Sequence, residues 1–149
     1  MAKSSLIIQV HGTGLRVDGV GVLLRGPSGT GKSDLALRLI DGGAQLVSDD
    51  QTLLENDSGK LRMRTNAVLE GLLEVRGVGI FPVSSTQDAT LGLVVDLLGP
   101  KDRISRMPEK EFADILGVRV RRVQMHAFMA SAPAKIRMLV ANLERDPAP

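Results

Sequence analysis

Residues 23–51 read LLRGPSGTGKSDLALRLIDGGAQLVSDDQ, and the fold is decided within this stretch. A short apolar strand around Val20–Leu24 leads into Gly26-Pro27-Ser28-Gly29-Thr30-Gly31-Lys32-Ser33, which fits the phosphate-loop pattern in full. Glycines at these positions let successive backbone N–H groups turn inward around an anion. The helix that starts at Lys32-Ser33 aims the positive end of its dipole at the same point. Lys32 adds a mobile charge for β- and γ-phosphates, and the Ser33 hydroxyl is placed to ligate Mg²⁺. A merely tight strand–helix turn would not call for Lys32-Ser33. Gly26, Ser28, Gly29, Thr30, Gly31, Lys32 and Ser33 are therefore the expected nucleotide-binding residues.

Working outward, Leu35, Leu39 and Ile40 share one helical face, and Asp41-Gly42-Gly43 ends the helix. AQLVSDD is a short strand that finishes in acid. Upstream, strands are expected around Leu6–Val10 and Val20–Leu24, joined by a turn-rich segment with Gly12, Gly14 and Asp18-Gly19. Downstream, QTLLENDSGKLRMRT reads as a hairpin turning at Asp57–Lys60, and LLEVRGVGIFPV is punctuated by glycine. ATLGLVVDLLG suits a buried strand, Asp102 to Pro108 an exposed loop, and GVRVRRVQMHAF an alternating strand. A last helix has Ser131 as its cap, Pro133 in its first turn, and Ile136, Leu139, Val140 and Leu143 on one face. The pattern predicts a single α/β domain over 1–149, with a mixed sheet, one early helix and one late helix.

The bulk numbers exclude several classes of function. A net charge of +2 on 149 residues, with three Phe and neither Tyr nor Trp, offers little for gripping nucleic acid. The tight basic cluster Arg119, Arg121 and Arg122 reads as solvated surface. Without cysteine there is no disulfide framework and no thiolate metal site. The N-terminal MAKSSLIIQVHG is too short in apolar residues for a secretion signal, and no run approaches a membrane span. These features point to a cytoplasmic protein.

Two places compete to supply the acids of a phosphoryl-transfer site. Asp96, in LGLVVDLLG, sits on an apolar strand as the second metal acid of an ordinary P-loop hydrolase does. Asp49 and Asp50 follow Ser33 by sixteen and seventeen residues, at the end of the strand into which the loop helix leads. Adjacent acids cannot point to the same side of a strand. They can bracket its end, one turned to metal and the other to a substrate proton.

Taken together, HG…VGVLLRGPSGTGKSDLALRLIDGGAQLVSDD and LLEVRGVGI resemble the catalytic domain of HPr kinase/phosphorylase. The likeness is specific from His11 to Val83 and looser through LGLVVDLLG and DILGVRV to the late helix. It implies a P-loop mixed sheet related to phosphoenolpyruvate carboxykinase, here as a short form without the separate N-terminal domain of longer members. It also implies ATP- and Mg²⁺-dependent phosphorylation of a serine on HPr or an HPr-like phosphocarrier, with reversal by phosphorolysis, in a homo-oligomer that is a hexamer in the family.

Carried onto this chain, the resemblance makes Asp49 the general base toward the acceptor serine. His11 stands next to that aspartate and tunes it, and Arg76 lies close to the same site. Asp50 and Glu74 join Ser33 in fixing or hydrating the metal. His126 has no motif support and reads as structural. The Pro-Gly-Arg-Asn-like loop of longer members has no counterpart in RVRRVQMHAFMASAPAKIR, where Lys135 or Arg137 is the candidate replacement charge. That departure bears on phosphorolysis more than on the kinase step. Two other readings stand beside this one: a P-loop kinase of a small molecule with Asp49 as base, and a non-catalytic nucleotide-sensing module. A GTP hydrolase is disfavoured, since the chain has no guanine-reading Asn-Lys-x-Asp.

Overall fold

The computed structural model describes residues 6–65 and 70–144. Residues 1–5 of the N-terminal stretch therefore lie outside the described residues. The elements run β1 (Ile7–Val17), β2 (Val20–Arg25), α1 (Lys32–Asp41), β3 (Gln45–Ser48), β4 (Gln51–Asp57), β5 (Lys60–Thr65), β6 (Leu72–Val75), β7 (Gly79–Pro82), β8 (Asp88–Leu97), β9 (Glu111–Ile115), β10 (Val118–Met125) and α2 (Ala132–Ala141).

Two long strands organise the sheet. The first half of β1 pairs antiparallel with β4, and its second half pairs with β2 and β3. The start of β8 pairs antiparallel with β5, whereas its remainder runs parallel to both β2 and β10. Pairing therefore closes a ring, β1–β4–β5–β8–β2, from which β3 and the β10–β9 hairpin extend. The mixed sheet expected from the hairpins is present. A separate two-stranded hairpin, β6–β7, carries the glycine-punctuated LLEVRGVGIFP.

Residue alternation on β2 and β8 divides the apolar side chains between two cores. Val22, Leu24, Leu93, Val95 and Leu97 face the helices and pack with Leu35, Leu39, Ile136 and Val140. Leu23 and Val94 face the other way, against Leu54, Leu61 and Met63 inside the bent sheet. The central strands are covered on both faces, which is why they read as unbroken apolar runs.

Three local expectations differ. The segment with Gly12 and Gly14 is strand rather than turn, and β1 runs through it to the Asp18-Gly19 reversal. Gly12 is needed for packing: a Cβ there would lie 2.8 Å from the Leu24 carbonyl. Ser131 occupies the N-cap position of α2 but makes no side-chain cap bond. Its backbone is already α-helical, and its carbonyl accepts from the Lys135 N–H instead. The strand β9 went unread because EFADI is short and its first residues are exposed.

Candidate active site

The loop after β2 is built to hold an anion. Gly29 and Gly31 have φ of 88° and 95°, a left-handed conformation that L side chains rarely adopt. Thr30 is buried and closes the loop, with both its N–H (3.2 Å) and its hydroxyl (2.7 Å) donating to the Pro27 carbonyl. No side chain caps α1, so its first backbone N–H groups remain for a ligand. Lys32 is buried across the loop, its ammonium donating to the carbonyls of Gly26 (2.5 Å) and Pro27 (3.4 Å). Phosphate oxygens are stronger acceptors for an ammonium than these carbonyls and can replace them.

β1, β3 and β6 converge beside the loop with the acids. β3 ends at Ser48, and Asp49-Asp50 turn the chain into β4. Asp50 has φ of 65°, tolerable for an aspartate, and the Gln51 N–H donates to the Asp49 carbonyl at 2.7 Å. The Asp49 carboxylate accepts from the Thr13 hydroxyl (3.3 Å) and the Glu74 backbone N–H (3.2 Å). Burial pushes its pKa up, these two hydrogen bonds pull it down, and the charges of Asp50 and Glu74 push it up again. The net effect is above the ordinary aspartate value. A carboxylate partly withdrawn from water and raised in this way is a better proton acceptor than a surface aspartate.

Asp50 is exposed and meets His11 Nε2 at 2.6 Å. His11 thus touches Asp50 rather than Asp49, contrary to its expected place beside the base. The register explains this: His11 pairs with Gln51, and the next N–H, Gly12, donates to the Asp50 carbonyl at 2.9 Å. Thr13, two residues on, is the β1 side chain that reaches Asp49.

These groups share a cleft of about 380 Å³, lined by Ser28, Gly29, Gly31, Lys32, Ser33, Asp49, Asp50, Glu74 and Arg76 among others. Of the other residues expected here, Gly26 and Thr30 form the base of the loop, and His11 reaches the cleft through Asp50. Ser33, Asp50 and Glu74 offer hard oxygen donors in one place. Among the described residues, no group of three or more His, Asp or Glu side chains could hold a metal by itself. Such a donor set fits Mg²⁺, which keeps several waters and binds through one or two carboxylates plus substrate phosphates.

Asp96 is committed elsewhere. Its neighbours Val95 and Leu97 face the helix side, so its carboxylate lies on the opposite face of the sheet from α1. There it takes a two-pronged grip from Arg25 (2.7 and 3.0 Å) and a further bond from Arg122. Burial alone would raise its pKa, but the two guanidiniums hold it below the usual range. The basic cluster is likewise occupied: Arg119 stacks on Phe112 at 3.9 Å, and Arg122 also meets Glu111 at 2.6 Å. Arg121 donates to the carbonyls of Glu111 and Arg122. Arg137 caps the end of α1 through the Leu39 carbonyl (3.2 Å), and Lys135 lines a different groove, so neither replaces a charge in this cleft. Thr13 and Phe128 are the residues at the site that sequence reasoning missed. Thr13 carried no motif signal, and Phe128 closes GVRVRRVQMHAF, whose alternation predicts strand to its end although β10 stops at Met125.

Known proteins resemble the chain in sequence and in fold. A 38% identical relative, the HPr kinase/phosphorylase of Bordetella pertussis, aligns over 127 residues, 78% of this chain and 41% of the relative. That of Clostridium kluyveri is 36% identical over 129 residues, with the same shares covered. The chain thus spans about two fifths of the length of these curated relatives. A solved structure, the Hpr(Ser) kinase/phosphatase from Coxiella burnetii, superposes with a TM-score of 0.82 at 29% identity, covering 93% of this chain and 97% of that one. Its match bears out the phosphoenolpyruvate carboxykinase-like P-loop fold expected from the sequence. The model of the HPr Serine kinase C-terminal domain matches residues 2–143, and the chain belongs to that family.

Proposed function

We propose that this chain is the catalytic P-loop domain of a protein serine kinase. It uses ATP and Mg²⁺ to phosphorylate a serine of HPr or an HPr-like phosphocarrier, with reverse phosphorolysis as a second activity. The observation that carries the reading is the Asp49 carboxylate. It is raised in pKa, held by Thr13 and the Glu74 N–H, and shares one cleft with the phosphate loop.

The division of labour follows from the chemistry. The nest of Gly29–Gly31 and the start of α1 grip the phosphates and fix their direction, and Lys32 neutralises charge on the transferred group. Ser33, Asp50 and Glu74 would hold Mg²⁺, which when bound neutralises charge on the β- and γ-phosphate oxygens. Asp49 accepts the proton of the incoming serine, which is a poor nucleophile without such a partner. In the reverse direction it returns that proton to the serine oxygen. His11 keeps Asp50 oriented, and Arg76 adds positive charge at the rim.

A protein acceptor is favoured over a small molecule by the β6–β7 hairpin. Beside Glu74 and Arg76 it displays Val78 (70% exposed) and Ile80 (65%), an open apolar surface that a small acceptor would not need. We take the chain to act in the cytoplasm, as a homo-oligomer. Among the described residues, no helix is long and apolar enough to cross a membrane.

The test is phosphate transfer from ATP with Mg²⁺ to an HPr-like protein of the same cell. The modified residue is mapped by mass spectrometry, and Asp49→Asn is run in parallel. Phosphoserine that appears with wild type and is lost with the variant, while nucleotide still binds, is the expected result. Tight ATP binding without transfer would remove the phosphocarrier acceptor and leave the small-molecule kinase or the sensor.

A further inference from the structure

Phe128 lines the cleft yet has no part in the chemistry described so far. It is 69% exposed, in a chain with only three Phe and no other aromatic residue besides its two His. Leu37 and Val75, the other large apolar residues of the cleft, pack against the helix-side core, and Phe128 does not. Its ring lies instead at the phosphate loop, where a Cβ on Gly31 would come within 2.9 Å of its Cζ.

The backbone on either side of Phe128 is tied down. Arg38, in the last turn of α1, donates to the Met129 carbonyl (3.1 Å) and to the Ala127 carbonyl, and its Nε holds Asp34 of the cleft at 3.0 Å. The ring is thus exposed while its main chain is latched to the loop helix. The hydrogen bonds of the acids run instead to β1 and β6, through His11, Thr13 and Glu74. A nucleotide whose terminal phosphate points at Asp49 must send its nucleoside away from that cluster, toward the other wall of the cleft.

We propose that Phe128 is the platform on which the base of the bound nucleotide stacks, and that Arg38 is the positioning residue that holds the platform against the phosphate loop. This rests on reading the cleft as an ATP site. Bases stack on aromatic rings whatever their hydrogen-bonding edges, so the platform favours purines for their area and does not separate ATP from GTP.

Calorimetric titration of wild type, Phe128→Ala and Phe128→Tyr with Mg²⁺-ATP and with Mg²⁺-tripolyphosphate tests this. Phe128→Ala weakens ATP binding roughly ten-fold or more, leaves tripolyphosphate within about two-fold, and Phe128→Tyr restores the ATP affinity. Arg38→Ala reproduces the ATP-selective loss. Equal weakening of both ligands would overturn the proposal and make the ring a buttress of Gly31. No change in either would also overturn it and turn the ring toward a protein contact. Wild type that holds tripolyphosphate as tightly as ATP would remove the stacking alone, while binding of neither ligand would remove the ATP site as well.

Discussion

The backbone reversal at Asp50, with φ of 65°, gives two adjacent carboxylates different surroundings. Asp49 is withdrawn from water and hydrogen-bonded by Thr13 and the Glu74 N–H, whereas Asp50 stays exposed and meets His11. Their chemical roles follow from surroundings that the string Asp-Asp does not encode. The pair was legible as a site because of its place after the loop helix. Which β1 side chain serves which acid was not, because it depends on the β1–β4 register. Thr13 is the consequence: fully buried, it donates to Asp49 and accepts the Asp50 N–H at 3.3 Å. Thr13→Val should lower the transfer rate about five-fold and cost on the order of 1–3 kcal/mol of stability by leaving that N–H unpaired. Thr13→Ser should restore both, as read from steady-state rates and urea unfolding. Asp49→Asn should lower the rate by roughly 10²–10⁴, the usual worth of a general base. It should also leave the protein slightly more stable at neutral pH, because a partly desolvated charge is gone. A variant that lost activity and stability together would mark Asp49 as a structural residue.

Among the elements, α1 was readable to within a residue at each end because its apolar spacing, Gly31 before it and Gly42-Gly43 after it agree. β1 was not, since two of its glycines imitate a turn. What they meet is another strand, and that contact is invisible without the fold. The same holds at Gly21, where β2 runs beside β8 and a Cβ would fall 2.4 Å from the Thr90 carbonyl oxygen. Both atoms in conflict belong to, or are fixed to, backbone, so no rotamer change relieves the clash. Gly21→Ala should therefore cost at least the roughly 1–3 kcal/mol of core overpacking. Thermal melting would show a drop of several degrees for a domain of this size. An unchanged melting point would mean that β2 and β8 stand further apart than described. The β9 strand illustrates the opposite difficulty: its hydrogen bonds to β10 define it, while its outward side chains carry little pattern.

For the whole molecule, Asp96 links four strands through three charged partners. Arg25 comes from β2, Arg122 from β10 and, through Arg122, Glu111 from β9, all on the face away from the nucleotide cleft. In the sequence Asp96 resembled a metal acid, because only the sheet reveals that Arg25 stands opposite it in register. The two arginines hold its carboxyl below the ordinary value in the folded state. The folded state therefore binds that proton less readily than the unfolded chain does. The resulting stability is present above the unfolded aspartate pKa of about 3.9 and is lost as pH falls through the lower folded value. Asp49 has the opposite sign: its raised pKa stabilises the fold when protonated, and that contribution disappears as pH rises through the folded value. Asp96→Asn should consequently destabilise the protein at pH 7 by about 2 kcal/mol, the scale of hydrogen bonds to a charged group. The difference from wild type should shrink as the pH approaches 3. Urea unfolding of both proteins between pH 3 and 7 measures this directly. The variant should still transfer phosphate at pH 7, since Asp96 touches none of the cleft. Loss of Mg²⁺-dependent transfer in a variant that remained folded would return Asp96 to the role of metal acid and displace Asp50 and Glu74 from it.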